Sequence, residues 1–202
     1  MVNLAAPKTL EFIEFILEQK TFTQYRAKKE LGLSMALVNQ VTRYLLARNL
    51  ITRQKSERQY ALRDAAGLIT SISLFRNMQD IQLLEVGASL EKEEAMKLFS
   101  PDTVFCLDTA LANYTNWWRS NRVCAYIDPI NLEGLQIRFA FSPGDTTLVR
   151  LFKASPPVKP VEIQSKKFTP QTRTIIDLVC DNQINAAEPL FKKLWGQDIA
   201  KH

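Results

Sequence analysis

The first twenty residues contain apolar positions that recur at helical spacing. Pro7 suits the first turn of a helix, because the N–H group that proline lacks has no partner there. Up to Lys20, the positions that would form one buried helix face are Leu10, Ile13, Phe15, Ile16 and Leu17. The pattern predicts an amphipathic helix from Pro7 to about Lys20.

A second helix and a sharp turn are predicted next. Thr21 or Thr23 can cap a helix that runs to Leu31, because a hydroxyl can accept a hydrogen bond from an N–H of the first turn. Gly32 follows and adopts positive φ without a steric penalty. The chain is therefore expected to turn at Gly32 and to begin another helix.

The third helix is predicted from Ser34 to Asn49. Ser34 is a favoured capping residue, and the inward positions are Val38, Val41 and Leu45. Asn49 suits the end of the helix, because Asn tolerates the left-handed conformation of a helix exit. Helix, short turn and helix form the helix-turn-helix layout, in which the second helix lies in the major groove of DNA.

Two short strands are predicted directly after this helix, at residues 50–53 and 59–63. In the second strand Tyr60 and Leu62 are expected to alternate inward. The polar residues between the strands predict a turn, whose tip would carry Lys55 and Arg58. A hairpin in this position is a wing, and its cations would meet phosphates or the minor groove.

Positive charge is concentrated in the same segment. The net charge is +5; residues 1–80 hold 12 Lys and Arg against 7 Asp and Glu, whereas residues 81–202 hold 14 of each. Residues 21–63 carry nine basic groups against only Glu30 and Glu57. Such a local excess is typical of a surface that binds a polyanion, although a basic, solvated face without a partner would give the same numbers.

The polar face of the third helix supplies the candidate base-reading residues, because Asn and Gln can pair with adenine and Arg with guanine. These candidates are Ser34, Met35, Ala36, Asn39, Gln40 and Arg43. The candidates for phosphate and wing contacts are Arg26, Lys28, Lys29, Arg48, Arg53, Lys55 and Arg58. An ordinary amphipathic helix with a polar outer face is the alternative interpretation of each base-reading residue.

The segment from Leu33 to Arg53 resembles many bacterial and archaeal winged-helix regulators. The residues that carry the resemblance are Val38, Val41, Leu45, Asn49, Leu50, Ile51 and Arg53. The resemblance implies an N-terminal winged helix-turn-helix domain over residues 1–64 that binds double-stranded DNA. Asn49 departs from the pattern, since such proteins usually have Gly there.

A connecting helix is predicted over residues 65–80, capped by Asp64. Its apolar residues exceed what one exposed face needs: Leu68, Ile69, Ile72, Leu74, Phe75 and Met78. The helix could support a homodimer, which would match a two-fold symmetric operator, or it could be buried within one chain. The pattern leaves both alternatives open.

The remaining residues, 81–202, predict a mixed α/β domain with a small sheet flanked by helices, so that the whole chain is α+β. Strands are expected at residues 81–86, 123–127, 135–141, 147–152 and 161–163. Helices are expected at 91–99 with Ser89 as cap, at 108–118, from Thr169-Pro170 to Cys180, and at 186–195.

This segment contains few of the residues and motifs that catalytic sites use. The single histidine is His202, which argues against a catalytic triad and a zinc site, and no phosphate-cradling glycine motif occurs. The three cysteines are widely spaced and are expected to be reduced, buried thiols. Gly87-Ala88-Ser89 is reminiscent of a nucleotidyltransferase loop, but no close carboxylate pair follows it. We therefore expect no enzyme, no cofactor and no metal.

The order of elements resembles the C-terminal domain of AbiEi-type antitoxins of type IV toxin–antitoxin systems. The segments that carry the resemblance are 107–114, 123–127 and 169–178, with Arg173-Thr174-Ile175-Ile176-Asp177 as the best motif. It implies a DNA reader that represses its own operon and a domain that neutralises a cognate toxin protein. Candidate partner-interface residues are Trp117, Trp118, Arg173 and Asp177, although Arg173 and Asp177 could instead pair on one helix face.

No apolar run has the roughly 18 residues of a membrane span, and the first residues lack the features of a secretion signal, so a cytoplasmic protein without membrane contact is expected. The leading hypothesis is a DNA-binding transcriptional regulator, a repressor. The alternatives are an antitoxin with autoregulatory DNA binding and, third, a nucleotidyltransferase-like enzyme with a DNA-targeting domain.

Overall fold

The computed structural model describes residues 2–54, 58–154 and 157–199. Within these residues the fold is α+β, with helices and two separate β-sheets. The chain divides into two compact units, which we call unit 1 (residues 1–76 and 191–202) and unit 2 (residues 77–190). The last residues thus belong to unit 1, whereas the sequence analysis grouped them with the C-terminal segment.

Unit 1 contains three helices, a three-stranded sheet and a fourth helix. In chain order the elements are α1 (Pro7–Gln19), β1 (Thr21–Thr23), α2 (Gln24–Leu31), α3 (Met35–Ala47), β2 (Ile51–Arg53), β3 (Gln59–Leu62) and α4 (Ala65–Ser73). The sheet has the order β1-β3-β2 and is antiparallel throughout. Strand β1 was not predicted, because three residues between two helices are too few to show a period-2 pattern.

Local sequence explains where α2 and α3 begin and end. The Thr23 hydroxyl accepts a hydrogen bond from Arg26 N, and the Ser34 hydroxyl accepts one from Leu37 N. Gly32 (φ 63°) lies just past the end of α2, in the left-handed region. After α3, Asn49 has a φ of 57°, and the N–H of Leu50 donates to the carbonyl of Leu45. This arrangement is a Schellman motif, so the predicted helix exit at Asn49 is confirmed.

The core of unit 1 lies between α1, the sheet and α4. Phe22 of β1 packs edge-to-face against Phe12 of α1 and stacks on Tyr60 of β3, with ring centroids 5.5 and 5.4 Å apart. The side chain of Asp64 accepts a hydrogen bond from Gly67 N, which confirms the predicted cap of α4. Leu68, Ile69 and Ile72 are fully buried, and α4 ends at Ser73 rather than near Asp80.

The C-terminal residues complete unit 1. Phe191 is fully buried, and the indole N–H of Trp195 donates to the carbonyl of Leu17 at 3.0 Å. The Lys20 ammonium donates to the carbonyl of Leu194 at 2.7 Å, where α9 (Ile184–Trp195) ends. The side-chain oxygen of Gln197 accepts from Ala65 N. These bonds join residues far apart in sequence, which is why the period of the last helix did not predict them.

Unit 2 is built around a six-stranded mixed sheet of order β4-β7-β6-β5-β9-β8. The strands are β4 (Gln82–Ala88), β5 (Val104–Phe105), β6 (Arg122–Ile127), β7 (Thr147–Lys153), β8 (Val161–Ile163) and β9 (Lys166–Phe168). The pairs β6–β7 and β5–β9 are parallel and the other pairs antiparallel. The helices are α5 (Lys92–Lys97), α6 (Leu107–Tyr114), α7 (Leu132–Ala140), α8 (Gln171–Cys180) and the part of α9 up to Leu190.

The predicted strand at residues 135–141 is wrong, because this segment belongs to helix α7. Leu135, Ile137, Phe139 and Phe141 alternate with other residues, which is the pattern of a half-buried strand. In the structure only Leu135 and Phe139, four residues apart, are buried, as one helix face requires. The side chain of Asp128 accepts from Ile130 N and starts a short 3-10 turn, Pro129–Asn131, that leads into the helix.

Two further details of unit 2 differ from expectation. Helix α6 ends at Tyr114 and does not reach Trp118, and α5 is capped by Glu91 in a capping box with Glu94, not by Ser89. The Ser89 hydroxyl instead donates to the carbonyl of Pro143 at 2.6 Å. A Cβ on Gly87 would lie 2.3 Å from the carbonyl oxygen of Gly144, so this glycine allows a close approach of two backbone segments.

Candidate functional site

Helix α3 presents one side to the interior of unit 1 and the other to solvent. Val38, Val41 and Leu45 are fully buried, as predicted, together with Thr42. The opposite side is a continuous exposed stripe, because successive members are four, three and four residues apart: Ala36, Gln40, Arg43 and Ala47. We call these four residues the α3 stripe.

The predicted base-reading residues lie on or beside the α3 stripe. Ser34, Ala36, Gln40 and Arg43 are exposed, whereas Met35 and Asn39 are half-buried at its edge. The ion pairs found among the described residues do not include Arg43, so its guanidinium is available to a ligand. The structure therefore brings five of the six candidates to one end of the helix, and Arg43 follows one turn later.

The electrostatic setting of this helix favours an anion. From Met35 to Ala47 the helix contains no acidic residue, and its N-terminus carries the positive end of the helix dipole. The small side chains of Ser34 and Ala36 leave the first turn open to the approach of a ligand.

Strands β2 and β3 form a hairpin directly after α3. Ile51 lies opposite Leu62 and Arg53 opposite Tyr60, and the N–H of Gln54 donates to the carbonyl of Gln59. Arg53 and Arg58 are exposed on the two arms of the hairpin. Lys55, the predicted cation of the tip, lies outside the described residues.

The other basic candidates differ in whether their side chains already contact other residues of unit 1. Lys28 and Lys29 are exposed in the last turn of α2 and are in no ion pair of the described residues. Arg26 donates to Glu30 at 2.6 Å and to Gln19 at 2.9 Å, and Arg48 lies 4.7 Å from the ring centroid of Tyr44. Arg26 is thus neutralised within unit 1, and a phosphate would have to compete with Glu30 for it.

Sequence reasoning missed Tyr25. Its side chain is 68% exposed in the first turn of α2, whereas large aromatic side chains are mostly buried. A tyrosine hydroxyl near a helix N-terminus can donate to a phosphate oxygen. The sequence could have predicted this exposure, since Tyr25 follows the capping Thr23 by two residues and does not lie on the apolar face of α2.

Arg173 and Asp177 do not lie on the surface of unit 2. The Arg173 Nε atom donates to Asp177 at 2.9 Å, and the Tyr126 hydroxyl donates to the other carboxylate oxygen at 2.8 Å. The two charged side chains are 1% and 0% exposed. The i, i+4 pairing was predicted correctly, but burial removes both residues from the candidate partner interface.

The two adjacent tryptophans lie after α6, outside any helix. Trp118 is half-buried, and its indole N–H donates to the buried carboxylate of Asp108 at 2.8 Å. Trp117 is 50% exposed and packs edge-to-face on Trp118, with ring centroids 5.4 Å apart. Of the predicted partner-interface residues, Trp117 is the exposed one.

No sequence pattern predicted the ion pair between Arg150 and Asp181 in unit 2. Arg150 on β7 donates two hydrogen bonds to Asp181, at 2.6 and 2.8 Å, and both residues are largely buried. The hydrogen bonds that Arg150 donates to the Asp181 carboxylate raise the pKa of the guanidinium, against the effect of burial. The pair joins positions 31 residues apart, so no local spacing could have predicted it.

The three cysteines are free and buried, as predicted. Burial raises the pKa of the Cys124 thiol to about 12 and also raises the pKa of Cys106 well above its ordinary value. A buried thiol with a raised pKa is a poor nucleophile at neutral pH, because the reactive species is the thiolate.

Within the described ranges, no cluster of three or more potential ligands for a metal ion is found, and no helix combines the length and apolar character of a membrane span. No family model, curated protein or solved structure matches the chain.

Proposed function

We propose that unit 1 is a winged helix-turn-helix that binds double-stranded DNA, and that the protein is a transcriptional regulator, a repressor. In this proposal α3 is the recognition helix and the β2–β3 hairpin is the wing. The observation that carries it is the exposed, acid-free α3 stripe beside a hairpin with two exposed arginines. Helix, turn, helix and hairpin follow in the order that the winged-helix layout requires.

The α3 stripe has the chemistry for reading base edges. Gln40 can form two hydrogen bonds to adenine and Arg43 two to guanine, and each good pair contributes about 1–3 kcal/mol of discrimination. Ala36 is small enough to contact a thymine methyl group. Ser34 lies at the N-terminus of the helix, where base edges are reached first.

The basic residues around the stripe supply phosphate contacts. Arg53 and Arg58 on the hairpin and Lys28 and Lys29 on α2 are exposed, and Lys55, which lies between Arg53 and Arg58 in the sequence, supplies a fifth charge. Five neutralised phosphates per protomer predict a slope of about −4.5 in a plot of log affinity against log salt concentration.

Selection of bound sequences from random duplex DNA, followed by fluorescence anisotropy with the selected duplex, tests the proposal. We expect an enriched sequence and the steep salt dependence just given. Arg43→Ala should relax preference at one base position, whereas Lys28→Ala with Lys29→Ala should weaken binding to all sequences alike.

Arg119→Ala is the matched control, because Arg119 is an exposed arginine of unit 2. Affinity and preference should be unchanged in this variant. Absence of any enriched sequence, or a salt slope near zero, would contradict the proposal.

A second candidate function for unit 2 is binding of a cognate toxin protein, as in an antitoxin. It is supported by Trp117, an exposed aromatic side chain held against Trp118, which is itself anchored to Asp108. Tryptophan is enriched among the residues that dominate protein interfaces. Co-purification with the product of the neighbouring gene, lost in Trp117→Ala but retained in Leu74→Ala, tests this candidate.

A further inference from the structure

The outer side of α7 carries an apolar stripe that the fold of unit 2 does not use. Ile130, Ile137 and Phe141 are 83%, 53% and 82% exposed, and Gly134 lies between them. The spacing of three and four residues places Gly134, Ile137 and Phe141 on one face of α7 and its C-cap, and Ile130 lies in the 3-10 turn that leads into the helix; we call these four residues the α7 stripe. Leu135 and Phe139 already provide the buried face of the same helix.

The α7 stripe has the shape of a helix-packing surface. Nothing lies within 4 Å of the position that a Cβ on Gly134 would occupy, so another backbone can approach closely there. A groove of about 370 Å³ runs beside the stripe and is lined in part by Ile130, Gly134 and Arg138. The open space over Gly134 can therefore receive an apolar side chain of a partner helix.

Charged residues on the two edges of the stripe indicate what covers it. Glu133 and Arg138 are exposed, lie on opposite edges and are five residues apart; the Arg138 guanidinium also donates one hydrogen bond to the carbonyl of Leu98. In a parallel pair of identical helices, this is the spacing at which an acid of one copy meets a base of the other. An antiparallel pair would instead bring Glu133 near the second copy's Glu133.

We propose that the α7 stripe is a self-association surface, on which a second copy of this chain packs its own α7 in parallel across a two-fold axis. The apolar stripes face each other, Gly134 lies near its equivalent, and Glu133 pairs with Arg138 in both directions. This inference concerns unit 2 and does not depend on DNA binding. If both proposals hold, the dimer presents two DNA readers for two half-sites.

The dimer is expected to be weak. The stripe is one short helix with its flanks, whereas each partner of a standard stable interface contributes about 800 Å² from 20 to 30 residues. We therefore expect a dissociation constant in the roughly micromolar range.

Sedimentation velocity of the full chain over a range of concentrations tests the proposal. We expect a monomer–dimer equilibrium that is shifted to monomer in Ile137→Glu. Gln136→Glu is the matched control, because it adds the same charge to the neighbouring exposed position of α7 outside the stripe. Circular dichroism and thermal unfolding of both variants establish that each is folded.

A charge exchange tests the parallel arrangement. Glu133→Arg places two cations together and should weaken the dimer at least about tenfold, which corresponds to 1.4 kcal/mol. Adding Arg138→Glu to the same chain restores opposite charges and should recover most of the affinity.

Three outcomes overturn the proposal: a wild-type protein that stays monomeric at all concentrations, a dimer that Ile137→Glu does not weaken, or a Glu133→Arg dimer as tight as wild type. Arg43→Ala should relax base preference at one position of the DNA site and leave self-association unchanged. A failure of the DNA proposal is thus distinguishable from a failure of this one.

Discussion

Arg173 and Asp177 carry opposite charges that the fold removes almost completely from water. Both lie on α8, four residues apart, and the carboxylate also accepts a hydrogen bond from Tyr126. A charge in such a place is tolerated only while its partner is present, because an unpaired buried charge keeps the full cost of desolvation. The pair is therefore more important to the stability of unit 2 than to contacts with a partner.

Asp177→Asn is expected to lower the free energy of unfolding by about 3–5 kcal/mol, because it leaves the Arg173 guanidinium buried without its counter-charge. Replacing both residues, in Arg173→Met with Asp177→Leu, should cost less than this single change. Denaturant unfolding monitored by circular dichroism measures both.

The exposed pair Arg26–Glu30 provides the control, since it has the same i, i+4 spacing but side chains 48% and 44% exposed. Glu30→Gln should cost less than about 1 kcal/mol. Equal losses in Asp177→Asn and Glu30→Gln would show that burial of the α8 pair does not matter.

The Cys124 thiol links stability to alkaline pH. Its pKa rises from 9.0 to about 12 in the folded protein, so the folded state favours the neutral thiol. The resulting stabilisation is complete below the pKa of the unfolded chain and is lost as pH rises from about 9 toward 12. Unfolding free energies measured at pH 8 to 10 should therefore fall with pH.

In Cys124→Ala the decrease of the unfolding free energy with pH should be smaller by up to about 1.4 kcal/mol per pH unit, because the variant lacks the thiol that loses its proton in this range. Some slope should remain, since burial also raises the pKa of Cys106. Identical slopes in the variant and in wild type would contradict this account.

At the scale of single elements, features encoded by neighbouring residues were predictable and features that depend on distant residues were not. Ser34 and Asn49 mark the ends of α3 because capping acts within a few residues. Strand β9 was missed because it is defined by pairing with β5 and β8, far away in sequence. Helix α7 was mistaken for a strand because its exposed apolar residues, taken together with its buried ones, recur at every second position, which is the pattern of a strand.

A substitution at Asn49, which follows the C-terminal end of α3, can stabilise the protein. Because its φ of 57° is in the left-handed region, where glycine has no steric cost, Asn49→Gly should raise the free energy of unfolding by up to about 1 kcal/mol. Asn49→Ala should lower it by about the same amount.

The matched control is Asn39→Gly, the same replacement inside α3, which should instead lower the free energy of unfolding by about 0.5 kcal/mol. Denaturant unfolding distinguishes the two signs. A loss of stability in Asn49→Gly would mean that the Asn49 side chain contributes more than its backbone conformation costs.

At the scale of the whole molecule, the residues of the candidate DNA interface could be predicted from the sequence, but not all of the contacts that they make. The amphipathic pattern of α3 indicated which side faces solvent, and the exposures of Gln40 and Arg43 agree with it. Sequence could not show that Arg26 also donates to Gln19, because that contact depends on how α1 and α2 meet. It also could not show that unit 1 needs the last residues of the chain.

Removal of residues 191–202 should therefore impair DNA binding even though these residues lie far in sequence from the α3 stripe. The truncation deletes Phe191 from the core of unit 1, and burial of such a side chain contributes about 1.5–3 kcal/mol. It also removes the bonds of Trp195 to Leu17 and of Gln197 to Ala65. We expect a loss of unfolding free energy above about 3 kcal/mol and a parallel loss of affinity for the selected duplex.

A chain that ends at Ile199 keeps all of these contacts and should behave as wild type. Because the α7 stripe belongs to unit 2, self-association should survive the longer truncation, and full DNA affinity in that variant would mean that unit 1 folds without its C-terminal residues.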